Sequence, residues 1–259
     1  MKKTLFNVTC YLVAFIALQL FVAFGVGFIA QKAFGMAEND STSLVVASAL
    51  TNCVVIALFL SLKMAPVGKT YLLSRPWRVL VWSALAALGV VIPSVWLQEL
   101  LPPLPDIVSE QMMKMMRVHG AYFAIAILAP VAEEIVFRGA ILRQLCEGFA
   151  NRWTAIAISA ALFALVHGNP AQMPHAFAVG LLLGWMYCST KSIIPGVVFH
   201  WCNNTVAYLI SVAYPAPDIK LIDIFGGNQT SLVLSIVFSL CIFVPSVIQL
   251  KREFSRRRA

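Results

Sequence analysis

Eight apolar runs, most of them close to the length a helix needs to cross a bilayer, set the terms on which this chain can fold. They cover residues 8–30, 44–62, 79–97, 121–146, 154–168, 174–190, 193–214 and 231–250. About 20 apolar residues rising 1.5 Å each cross the hydrocarbon core, and only helices or closed barrels satisfy their own backbone groups there. None of the runs alternates apolar and polar residues as a barrel strand would. The expected fold is therefore all-α, a polytopic transmembrane helical bundle of about eight spans. The fifth run is short and Asn169-Pro170 ends it, so a tight polar hairpin should join it to the sixth. The first run is too long for the apolar region of a signal peptide and lacks a small-residue cleavage site, so it reads as an uncleaved span.

Composition excludes the alternatives. Of the residues, 60% are hydrophobic and 12% charged, against roughly 25% charged in soluble domains, so a single soluble core is ruled out. The formal charge of +8 would suggest nucleic acid in a soluble protein. Here the basic residues sit in short loops and at the ends, which makes the charge a topological signal and leaves no nucleic-acid partner expected. With the N-terminus in the cytoplasm and eight crossings, the cytoplasmic side receives Lys2, Lys3, Lys63, Lys69, Arg75, Arg78, Arg143, Arg152, Lys191, Lys251, Arg252, Arg256, Arg257 and Arg258. The opposite side receives only Lys32, Lys114, Arg117 and Lys220, along with acids such as Glu38, Asp40, Glu99, Asp106, Glu110, Asp218 and Asp223. Both termini are thus expected in the cytoplasm, and the compact chain without an organelle signal points to a bacterial inner membrane. The six cysteines lie in or beside apolar runs without a CxxC pair, as small buried hydrophobes rather than a disulfide framework.

The organisation expected is three spans and an amphipathic outer linker over 1–120, core helices over 121–214, and a last span with a basic tail over 215–259. The linker carries Pro102-Pro103 and then Met112-Met113-Lys114-Met115-Met116. A lid or interfacial helix without a binding role is its expected use, although methionines also line adaptable grooves. The tail, 251–259, is expected to lie against anionic lipid headgroups.

Charges inside a span are costly and mark function by default. The fourth run holds three deep within it, Glu133, Glu134 and Arg138, besides Arg143 near its cytoplasmic end. Glu134 and Arg138, four residues apart, share a helix face, whereas Glu133 points about 100° away. The expected division pairs Glu134 with Arg138 and turns Glu133 to a cavity. On later spans Phe163 shares a face with His167, and His200 with Asn204. At 1.5 Å per residue, Glu133 and His167 lie roughly 20 Å from the cytoplasmic ends of their spans, and His200 and Asn204 roughly 10–17 Å. These residues could meet in one hydrated intramembrane active-site cavity. Singly, each has a plain structural reading as an ion-pair clamp or interhelical hydrogen bond; together they point to chemistry. His119 and His175 are expected in loops, outside the site.

Taken in order, Glu133-Glu134-Ile135-Val136-Phe137-Arg138 (EExxxR), Phe163-Ala164-Leu165-Val166-His167 (FxxxH) and His200-Trp201-Cys202-Asn203-Asn204 (HxxxN) resemble the CAAX-protease and bacteriocin-processing (CPBP or Abi) family of intramembrane endopeptidases, which includes the type II CAAX prenyl endopeptidase. The resemblance covers about residues 122–208. It implies that Glu133 activates the attacking water with help from His167, that His200 and Asn204 stabilise the oxyanion, and that Glu134 and Arg138 support the first motif. It also implies a peptide or protein substrate with a membrane-associated segment, drawn from CAAX processing, bacteriocin maturation or bacteriocin immunity. Two chemistries stay open. In one no cofactor is needed and Glu133 is the base. In the other Glu133, His167 and His200 hold Zn and Glu134 is the base. HExxH is absent and Glu134 would have to leave Arg138, which favours the metal-free form. The alternative class is a proton- or ion-coupled transporter using the same Glu/His cluster, against which stands the lack of an internal repeat.

Overall fold

The computed structural model describes residues 1–68, 70–216 and 219–256. Lys69, Asp218, Arg257 and Arg258, used above to orient the chain, lie outside the described residues. The described residues are helical and contain no strand. The long helices are α1 (Lys2–Phe34), α2 (Ser41–Ser61) and α3 (Trp77–Glu99), followed by the short outer α4 (Ser109–Met116). Next comes a helical stretch over 122–148, here α5, then α6 (Arg152–Leu165), α7 (Met173–Thr190), α8 (Ile194–Ala213) and α9 (Gln229–Arg256). Eight long helical stretches thus coincide with the eight apolar runs.

Four of them, α1, α2, α3 and α9, are long and apolar enough by themselves to cross a membrane, and α6 is a shorter apolar helix. The others fall short for identifiable reasons. α5 changes helical register three times along its length, and α7 and α8 carry polar residues such as His175, His200, Asn203 and Asn204. α9 also runs on through Arg256, so Lys251 and Arg252, expected in a tail against the headgroups, extend the last helix.

Local chemistry sets the helix ends. Gly35 closes α1 at φ 65 with its N–H on the Gln31 carbonyl, a left-handed cap that glycine adopts without a Cβ penalty. The Asp40 carboxylate then accepts from the Thr42 and Ser43 amides to open α2, and the Asn151 side chain does the same for Trp153 at α6. These side chains satisfy amides that the first helical turn leaves bare.

The helices associate through small residues, as expected where lipid removes any hydrophobic drive between spans. Gly180 and Gly184 of α7 face α6, and a Cβ at either would lie 2.9 Å from Ala160 or Ile156. α3 packs along α9 and α8, and at Gly89 it meets the α9 backbone, where a Cβ would be 2.6 Å from the Phe243 nitrogen. Backbone cannot yield as a side-chain tip can. Gly89→Val is therefore expected to destabilise the bundle by about 1–3 kcal/mol or more, read as a lower melting temperature in detergent. An unchanged melting temperature would mean that α3 and α9 do not cross here.

Two buried clusters carry the packing. One surrounds α5 with Phe15, Phe59, Phe137, Ile141, Leu142, Leu145, Ile156 and Phe163, and the other joins α3, α7, α8 and α9 through Val79, Leu183, Met186, Phe199 and Leu250. The outer faces are as apolar as the core: Leu20, Phe21, Phe24, Val237 and Phe238 are all exposed. Exposed apolar surface on this scale belongs in lipid, and the chain is an integral membrane protein. The expected hairpin after α6 is present. Asn169 within it is fully buried, donating to Asp106 at 3.0 Å and accepting from the Ile107 amide at 3.2 Å. It thereby fixes the linker that carries α4.

Candidate active site

The site is built on α5, which is not the regular helix its sequence suggests. Tyr122–Leu128 and Glu134–Leu142 are π-helical and flank a short α-helical segment, Ala129–Glu133. Wider turns of this kind recur at functional sites. One physical reason lies in Pro130. In the i→i+5 register the Ile125 carbonyl looks to residue 130 for a donor, and proline has none. The donor comes instead from Asn204 on α8, whose Nδ2 lies 3.2 Å from the Ile125 oxygen. The break in the ladder is thus satisfied by a residue of the third motif, and it draws α8 to α5.

Beyond Glu133 the supporting pair is sealed. Glu134 and Arg138 are both fully buried, and Arg138 Nη1 donates to Glu134 Oε1 at 2.9 Å. Arg138 also donates to the Gly180 carbonyl at 3.3 Å and lies over the Phe163 ring, 4.4 Å from its centroid. Such a cation is tolerable only because carboxylate, carbonyl and ring all face it. Gly196 of α8 makes room for the acid: a Cβ there would sit 2.5 Å from Glu134 Oε2.

Phe163 is the hub of the aromatic contacts. It meets Phe137, His167 and His200 edge to face at centroid distances of 5.2, 4.9 and 5.7 Å. His200 bridges the two acids, with Nδ1 3.4 Å from Glu134 Oε1 and Nε2 3.6 Å from Glu133 Oε2. His167 Nδ1 lies 2.8 Å from the Phe163 carbonyl. A carbonyl only accepts, so Nδ1 carries the proton and the neutral ring keeps a lone pair on Nε2.

Glu133, Phe163, His167, His200 and Asn204 line one cavity of about 370 Å³. Glu134 and Arg138 stand behind its wall. The division expected between the two acids is what the fold provides: Glu133 keeps 21% of its side chain exposed, Glu134 none.

The structure also adds residues and moves others. His175, expected in a loop away from the site, is in the first turn of α7 and lines the cavity, as does Asn203. His119 is exposed and stays away. The methionine helix, expected to have no binding role, contributes Met112, Met115 and Met116 to the wall. Its amphipathic spacing was visible in the sequence; that its apolar side faces a cavity rather than lipid was not.

The zinc set Glu133, His167 and His200 can be tested on its donors. Among the described residues no three His, Cys, Asp or Glu side chains gather closely enough to share an ion. His167 turns Nδ1 to a carbonyl and His200 turns Nδ1 to Glu134, which leaves Nε2 of each ring toward the cavity, the orientation a ligating imidazole takes. The ring orientations would suit an ion; the spacing of the donors, as placed, does not.

Residues 117–206, which contain all three motifs, match the family described as type II CAAX prenyl endopeptidase Rce1-like. The membrane-embedded CAAX protease MroQ of Staphylococcus aureus (strain USA300) is 29% identical over 98 residues, 36% of this chain and 40% of that protein. The similarity thus spans two-fifths of that relative's length. No solved structure matches the chain. The family resemblance drawn from the motifs is borne out, and at the family level it supports a membrane endopeptidase.

Proposed function

We propose that the chain is an intramembrane endopeptidase that hydrolyses a peptide bond of a membrane-embedded, lipidated or leader-peptide substrate, using water activated by Glu133. What carries the reading is Glu133 itself. It is a half-sequestered carboxylate on the wall of a cavity inside an apolar bundle, 3.6 Å from His200 Nε2, with a second acid spent on Arg138. Water bound between Glu133 and the lone pair of His167 Nε2 loses a proton to Glu133 as its oxygen attacks the scissile carbonyl carbon. The carbonyl electrons move to oxygen, and Asn204 answers that charge. One of its amide hydrogens is held by the Ile125 carbonyl, and the other is free to donate. Protonation of Glu133 weakens its hold on His200, whose Nε2–H then turns to the same oxyanion. Collapse breaks the C–N bond, and Glu133 returns its proton to the departing amine. The carboxylic acid and amine formed, which exchange a proton to become carboxylate and ammonium, balance the water consumed.

This reading places the bundle in a bacterial inner membrane with both termini in the cytoplasm and residues 121–214 as the catalytic core. The test uses purified protein in nanodiscs with quenched-fluorescent, N-palmitoylated octapeptides, the new termini being read by mass spectrometry. Cleavage is expected with the wild-type chain. No cleavage, together with proton or cation flux in proteoliposomes, would overturn the peptidase in favour of the transporter. Comparing membrane proteomes of cells carrying wild-type and Glu133→Gln protein then identifies the natural substrates, expected to be uncut in the variant.

A further inference from the structure

The catalytic cavity does not stand alone. A second cavity of about 400 Å³, lined by Val91, Val95, Met113, Ile210 and Tyr214 among others, abuts it. The two share Met112, Gln172, His175, Asn203 and Ala207. At that boundary Asn203 Nδ2 lies 3.5 Å from His175 Nε2. An amide nitrogen only donates, so Nε2 accepts and the pair links α7 to α8 through one end of the carboxamide. The other end is unused. Asn203 is only 7% exposed, and its Oδ1 finds no hydrogen-bond donor among the described residues. A buried acceptor left this way is costly and calls for an explanation.

We infer that Asn203 Oδ1 is a substrate-positioning acceptor, taking a backbone N–H of an extended peptide that runs from the catalytic cavity into the second one. The inference rests on the peptidase reading. Spacing supports it: His200 and Asn203 are three residues apart on α8, about 4.5 Å along the axis. That is little more than one residue of extended chain, so the N–H belongs to a residue within two of the scissile bond. His175 holds the other end of the carboxamide, and Oδ1, shut off from solvent in this structure, meets the chain once the wall beside it yields. Met112, on an unbranched and adaptable side chain, moves aside to admit it. The substrate segment beyond this point meets apolar walls at Val91, Val95, Met113 and Ile210 and polar groups at Gln98, Asp106 and Ser211.

The decisive experiment pairs the enzyme with ester-substituted probes. In a quenched-fluorescent, N-palmitoylated octapeptide, the backbone amides flanking the cleaved bond are replaced one at a time by esters, which removes a single N–H. One replacement is expected to raise KM for the wild-type protein about tenfold, the worth of one hydrogen bond, with kcat little changed. Asn203→Leu is expected to raise KM by a similar factor on the all-amide probe and to be indifferent to that same ester. Asn203→Asp keeps an acceptor toward the chain and, with the His175 ring in the tautomer that donates from Nε2, stays held at its other end, so it restores both KM and sensitivity to the ester. A purely structural Asn203 would leave every ester effect equal in wild type and variant, and that additive result overturns the inference alone. Failure of the wild-type protein to cleave any probe overturns the peptidase reading, and this subsite with it.

Discussion

Glu133→Gln protein is expected to fold normally and to lose cleavage of a palmitoylated peptide by roughly a hundred- to ten-thousandfold, the usual worth of a positioned general base. The amide is nearly isosteric with the carboxylate but takes up no proton. Folding should survive because Glu133 is not half of the sealed ion pair. That charge balance belongs to Glu134 and Arg138, 2.9 Å apart and fully buried, while Glu133 is partly exposed to its cavity. The loss should fall on kcat with KM within a few-fold, because the carboxylate acts on water rather than holding the peptide. His167→Ala should lose less: its Nε2 orients the water but does not take the proton in the step proposed here. Gel filtration and melting temperature show whether the Gln variant is folded, and single-turnover cleavage gives the rate. A folded Glu133→Gln protein with cleavage within threefold of wild type would remove Glu133 from the chemistry.

Much of this architecture was readable from residues alone, because the governing signals are local or have fixed spacing. Run length in apolar residues gave eight helical stretches, and spacing by four gave the Glu134–Arg138 contact and the common face of Phe163 and His167. The 100° between adjacent helical residues separated the directions of the two glutamates, and their exposures bear out that separation. What stayed hidden depends on tertiary context. The register changes of α5 arise where Pro130 meets a carbonyl that a different helix can satisfy. No periodicity in 121–146 announces Asn204 as the donor. Asn203 and His175 were obscured for a related reason. An asparagine next to a motif asparagine, and a histidine just inside a helix start, gain meaning only when two cavities share them as a wall. The methionines of α4 were legible as amphipathic, but only the tie from Asn169 to Asp106 and Ile107 explains why the helix covers the site instead of lying on the bilayer.

Removing one partner of the buried ion pair should cost more stability than removing both. Arg138→Met leaves the Glu134 carboxylate fully buried beside Gly196, its strongest donor gone and only His200 Nδ1 near. Glu134→Gln leaves the guanidinium with the Gly180 carbonyl and the Phe163 ring, neither of which carries a full charge. Breaking a buried pair from either side costs about 3–5 kcal/mol, whereas replacing both charges by neutral groups of similar size is often nearly neutral. The double variant, Glu134→Gln with Arg138→Met, should therefore recover most of the stability lost in either single one. With about 3–5 kcal/mol lost in each single variant and most of it recovered in the double, a coupling of about 5 kcal/mol or more is expected in the cycle, measured by thermal or detergent-induced unfolding of the purified protein. Activity should not follow. Glu134 Oε1 also faces His200 Nδ1 at 3.4 Å, and this contact fixes the ring orientation that aims Nε2 at Glu133 and the oxyanion. A Gln at 134 presents an uncharged carboxamide to that nitrogen, so the double variant should be stable yet slow, with its deficit in kcat. Additive losses in the cycle would show that the two charges do not act as one unit. Full activity in the double variant would separate the pair from the orientation of His200.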